Sequence, residues 1–94
     1  MEDINVKSTA GTFAVEAFYG DGNYYLSAVD AKRIFAQLGR TVSLPASVPD
    51  AIRASDTTTI EIQGKTGEAA YCIYWGKSYY KLRDLAYFAD VRIF

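Results

Sequence analysis

Asp30 and Asp84 are the two side chains whose type and placement come closest to a reaction. Each stands a few residues after a short aromatic run, Tyr24-Tyr25-Leu26 in one case and Tyr79-Tyr80-Lys81 in the other. Paired carboxylates perform acid–base work when their surroundings keep one protonated and the other ionised. Both aspartates, however, fall in the first turn of a predicted helix, where a carboxylate caps the helix and complements its dipole. Capping is therefore the expected role. Ser27 has no base to activate it, since the chain contains no histidine. Cys72 is the single cysteine, so an internal disulfide is excluded, and its apolar surroundings in sequence predict a small buried hydrophobe. With no histidine and one thiol, zinc and copper sites of the usual kind are excluded, and the acids are too scattered for a hard-cation cage. No catalytic residue, metal or cofactor is expected, and the chain is not read as an enzyme.

The tyrosines are the second candidate. Eight of them, one tryptophan and five phenylalanines make up 15% of the chain. Tyrosine joins a large apolar ring to a polar tip, which suits half-buried strands and contact surfaces alike. Tyr24, Tyr25, Tyr74, Trp75, Tyr79 and Tyr80 gather around two strand-to-helix junctions, and alternation sends half of them into the core. The outward members, with the basic residues that follow, predict a partner-binding surface of Tyr24, Tyr74, Trp75, Tyr80, Lys81 and Arg83. Aromatic residues and arginine are the usual anchors of such surfaces.

Two junctions position these residues. The first is Gly22-Asn23-Tyr24-Tyr25-Leu26-Ser27, opening a helix that Ser27 caps, that runs to about Leu38, and that Gly39 ends. The second is Gly76-Lys77-Ser78-Tyr79-Tyr80, opening a helix near Lys81. Ahead of the first junction, Ile4–Lys7 and Thr12–Tyr19 read as a hairpin. Ahead of the second, Thr57–Gln63 and Glu68–Trp75 read as strands joined by a turn over Gly64–Gly67. Thr41–Leu44 is a brief strand, and Val91–Phe94 a final one. Pro45 and Pro49 mark residues 45–55 as loop or insertion, in which Ser47 caps a helical turn over 51–54.

Shifted by about 54 residues, the halves fall into register. Tyr25 meets Tyr79, Ala28 meets Leu82, Asp30 meets Asp84 and Ala31 meets Leu85. Upstream, Glu16–Tyr19 matches Glu68–Tyr71 if the second turn holds two extra residues. The fold class is therefore α+β: one small domain over 1–94, antiparallel strands with two short helices, and a pseudo-twofold strand-turn-strand-helix repeat, its halves at about 12–39 and 67–90.

The run Tyr79-Tyr80-Lys81-Leu82-Arg83-Asp84-Leu85-Ala86, with Val15-Glu16-Ala17-Phe18 before it, resembles the copper amine oxidase-like N-terminal domain, or stalk domain, of bacterial surface proteins. The resemblance extends from Thr12 to Asp90. It implies a non-catalytic structural or adhesive module that acts through protein–protein contacts, including contacts between copies. The alternative from the residues alone is a small phage-encoded inhibitor of host defence, of the anti-CRISPR kind, that blocks a nuclease or sequesters a nucleotide signal. A net charge of −1 gives no footprint for nucleic acid or nucleotide. No apolar run approaches the roughly 18 residues of a membrane span. Without a leader the chain is expected in the cytoplasm, and at the cell surface if it is a piece of a longer protein.

Overall fold

A computed structural model describes residues 1–20, 22–45, 56–74 and 76–93. Its elements, in chain order, are β1 (Glu2–Ser8), β2 (Gly11–Gly20), β3 (Asn23–Ser27), α1 (Ala28–Gln37), β4 (Val42–Ser43), β5 (Thr57–Ile62), β6 (Lys65–Tyr74), β7 (Lys77–Lys81) and α2 (Leu82–Ala89). The strands form one antiparallel sheet in the order β1-β2-β3-β7-β6-β5-β4. The expected α+β class and twofold repeat are therefore present. The helical turn expected over 51–54, Trp75 and Phe94 lie outside the described residues. The described residues of the expected final strand form one bridge, from Ile93 to Ser8.

β3 and β7 pair at the centre of the sheet, with Leu26 opposite Tyr80 and, on either side, Tyr25 opposite Lys81 and Ser27 opposite Tyr79. This register is symmetric about the Leu26–Tyr80 pair, so a pseudo-dyad runs through it. The offset of 54 holds without a gap from β1 to the helix starts; α2 is then two residues shorter than α1. Tyr25 and Tyr79 obey it, and so do their cross-strand partners Phe18 and Cys72. The turn-closing residues Ser8 and Ile62 obey it too, as do the helix starts Ala28 and Leu82. The two extra residues expected in the second turn are absent: Gly20 closes on Asn23 and Tyr74 on Lys77 across loops of equal length. The match of Glu16–Tyr19 to Glu68–Tyr71 is therefore a sequence coincidence, and each repeat starts earlier than expected, with β1 and β5.

Both helices lie on one face of the sheet. Ala31, Ile34 and Phe35 of α1 and Leu82, Leu85, Ala86 and Ala89 of α2 share a core with Val6, Val15, Ala17, Leu26, Ile60, Ile62, Ala69, Tyr71 and Tyr80. These strand residues have one parity on each strand, as alternation requires. α1 begins as its sequence predicts, with the Ser27 hydroxyl accepting from the Asp30 amide at 3.2 Å. It ends at Gly39, whose φ of 76° lets the Arg40 amide return to the Phe35 carbonyl at 2.8 Å. α2 has Lys81 at its N-cap with no side-chain bond, and it stops at Asp90, itself left-handed at φ 55°. Arg40 then reaches across to α2, its Nε donating to the Ala89 carbonyl at 2.8 Å. A cation at a helix C-terminus satisfies an open carbonyl and complements the dipole.

The turn expected over Gly64–Gly67 is shorter. Gln63 and Gly64, at φ 53° and 78°, form a two-residue hairpin loop, and β6 starts at Lys65. Gln63 is held in this conformation by Thr41, whose amide donates to the Gln63 side-chain oxygen at 2.7 Å. Gly67 is then a strand residue, and its role is close packing. A Cβ built there would fall 2.6 Å from the ring of Phe88 on α2. The pseudo-equivalent pair in the first half is Phe13 and Ile34, so the halves place their bulk on opposite partners. Gly67→Ala is expected to lower unfolding free energy by about 1–3 kcal/mol, because the ring or the helix must move. Urea denaturation at constant m-value checks this.

Candidate interaction surface

The face of the sheet opposite α1 and α2 is not polar at its centre. Phe18 of β2, Tyr25 of β3, Tyr79 of β7, and Ala70, Cys72 and Tyr74 of β6 form a second, smaller apolar cluster there. Four rings are continuous. Phe18 meets Tyr25 edge-on at 6.2 Å, Phe18 meets Tyr74 at 5.2 Å, and Tyr74 meets Tyr79 edge-on at 6.3 Å. Edge-to-face and tilted arrangements suit the ring quadrupole. Phe18 and Tyr74 arise on strands that flank the central pair, so their rings meet above β3 and β7. Beneath these rings, on the face opposite α1 and α2, Tyr25 and Tyr79 are only 2% and 7% exposed. Phe18, Tyr74 and Cys72 remain half-buried and are the accessible part of the cluster. Around them stand exposed Lys77 and Glu16 and half-buried Lys81.

Burial alters the acidity of two groups. It pushes the Cys72 thiol above the ordinary thiol range. It also raises the Tyr79 hydroxyl, with the negative charge of Glu16 as a second cause. A raised thiol holds less thiolate, the reactive form. Cys72 is therefore expected to alkylate with iodoacetamide several-fold more slowly than a free thiol at pH 8, and at the free-thiol rate in denaturant.

Of the six residues expected to form one platform, the five described ones divide between two faces. Tyr74 and Lys81 belong to the aromatic face. Tyr24 lies on the helix side, where its ring packs edge-on against Tyr19 at 4.9 Å. Arg83 is exposed on α2, and with Tyr24 it lines a groove of about 350 Å³ bounded by Ile4, Val6, Leu82 and Ile93. Tyr80 is 0% exposed and lies in the main core, so it touches no partner. Its hydroxyl has no hydrogen-bond partner among the described residues. Trp75 lies outside them. The expected platform is thus replaced by a cluster built on Phe18, Tyr25, Tyr74 and Tyr79. Phe18 and Cys72 were missed because their place opposite Tyr25 and Tyr79 appears only when the strands are paired.

The carboxylates are not a pair. Antiparallel β3 and β7 carry Asp30 and Asp84 to opposite ends of the central ladder. Asp30 makes a surface ion pair with Arg33 at 3.4 Å. Asp84 Oδ2 accepts the Ala70 amide at 2.8 Å, continuing the bonding of β6 past the end of β7. Among the described residues, no group of three potential metal ligands comes together, and no helix is long and apolar enough to cross a membrane. No family model, curated protein or solved structure matches the chain.

Proposed function

We propose that the protein is a non-catalytic interaction module that binds a protein partner through the aromatic face of its sheet. The observation that carries this reading is the four-ring cluster of Phe18, Tyr25, Tyr74 and Tyr79 on the face opposite both helices. Phe18 and Tyr74 are its half-buried, accessible rings, and aromatic anchors supply most of the binding energy of contact sites. The non-catalytic role implied by the stalk-domain resemblance points the same way.

Affinity capture from bacterial lysate with the wild type, Tyr74→Ser and Glu61→Gln tests it. Glu61 is an exposed residue of β5 outside the cluster. A partner retained by the wild type and Glu61→Gln but lost at least tenfold by folded Tyr74→Ser supports the reading. Equal retention by all three overturns it.

A further inference from the structure

β1 and β5 hold equivalent places in the repeat, and β1 is the outermost strand at its end of the sheet. In one half, β4 pairs along β5, with Val42 opposite Ile62 and Ser43 opposite Glu61. Leu44 follows, half-buried against the main core. In the other half, the described residues after α2 make one bridge, from Ile93 to Ser8. Beyond it lies the groove of about 350 Å³ along Ile4 and Val6. The fold's own symmetry thus shows what such an edge accepts: an antiparallel extended strand with an apolar residue on the helix side.

Backbone and charge identify the strand. The pair Ser8–Gly11 closes a two-residue hairpin, so the even residues of β1 bond to β2, and Asp3, Asn5 and Lys7 direct their backbone groups outward. On β2, Asp3 faces Glu16 and Lys7 faces Thr12. Like charges directly opposite are unfavourable. Among the described residues, neither Asp3 nor Glu16 has an ion-pair partner, and Lys7 has none.

We propose that β1 pairs antiparallel with β1 of a second copy, centred on Asn5. In this register the second copy's Lys7 stands opposite Asp3, beside the Asp3–Glu16 pair, and the contact repeats about the dyad. The second copy's Ile4 stands opposite Val6, the position that Leu44 reaches over β5. Outward residues meet outward residues throughout, as a bonded ladder requires. The Ser8–Ile93 bridge marks the end of the paired stretch at Lys7. The sheet becomes continuous across the dimer, and both aromatic faces point the same way. This contact does not depend on what the aromatic face binds.

Sedimentation equilibrium on the full chain tests it. The wild type is expected to dimerise with concentration. Asp3→Lys and Lys7→Asp, each placing like charges opposite at both ends, are expected to weaken the dimer on the order of tenfold or more. The double variant Asp3→Lys/Lys7→Asp exchanges the signs and is expected to recover it. Asn5→Pro removes an outward amide that β2 does not use and is expected to abolish dimerisation. Circular dichroism confirms that the charge variants are folded. A wild type monomeric up to about 1 mM, or a double variant no tighter than the single ones, overturns the proposal. So does a dimer that folded Asn5→Pro keeps and Tyr74→Ser disperses, since that result puts the contact on the aromatic face.

Discussion

Tyr80→Ala is expected to lose about 3–5 kcal/mol of unfolding free energy, while Tyr80→Phe gains about 1 kcal/mol. The two results together separate what the ring does from what the hydroxyl does. The ring sits opposite Leu26 on the pseudo-dyad and is fully buried between both helices and the sheet, so truncation opens a cavity that both halves line. Few small domains have more than a handful of kcal/mol to spare, and Tyr80→Ala is expected to be largely unfolded at 37 °C. The hydroxyl is desolvated without a hydrogen-bond partner among the described residues. Removing it therefore relieves a cost and leaves no group unpaired. Thermal denaturation of the three proteins checks both signs. A Tyr80→Phe variant less stable than the wild type by more than about 1 kcal/mol would mean that the hydroxyl is engaged.

Asp84→Ala is expected to cost about 1.5–3 kcal/mol, the range for hydrogen bonds to charged groups, whereas Asp30→Ala costs about 0.5 kcal/mol or less. The two aspartates share a place in the repeat but not a job. Asp84 accepts the Ala70 amide in a part-buried setting, and its loss leaves that amide unpaired beside the second apolar cluster. Asp30 contributes a solvated ion pair with Arg33 to the first turn of α1, and the cap there belongs to Ser27. Asp84→Asn keeps an acceptor oxygen and is expected to recover part of the loss. Urea titrations of the three variants measure the ordering. Equal costs for Asp30→Ala and Asp84→Ala would show that dipole interaction, common to both, outweighs the Ala70 bond.

The repeat was legible around its two strand-to-helix junctions, where the copies keep the same residue or the same apolar character. Gly22 and Gly76 both need positive φ, at 78° and 74°, and Tyr25 and Tyr79 both stand beneath the crossing rings. Elsewhere the copies agree in burial without agreeing in type: Val6 and Ile60, Val15 and Ala69, Ala17 and Tyr71. Pattern matching preferred the literal echo of Glu16-Ala17 in Glu68-Ala69 and slipped by two residues. Gly67 misled in a similar way. A glycine between short strands reads as a turn, and only the ring of Phe88 above it reveals a packing constraint. The candidate surface was half legible, because alternation divides neighbouring tyrosines between faces but does not say which face the helices take. Tyr80 fell on the covered side, while Tyr79 was roofed by rings from outer strands.

The bond from Arg40 to the Ala89 carbonyl has a consequence for how the molecule comes apart. It ties the segment after the first helix to the last turn of the second, while the central ladder ties the paired strands before them. The bond couples fraying at the helical end of one repeat to that of the other. The amides of α2 and those following α1 should therefore exchange with solvent at a common rate in a single opening event, and Arg40→Ala should split that rate into two.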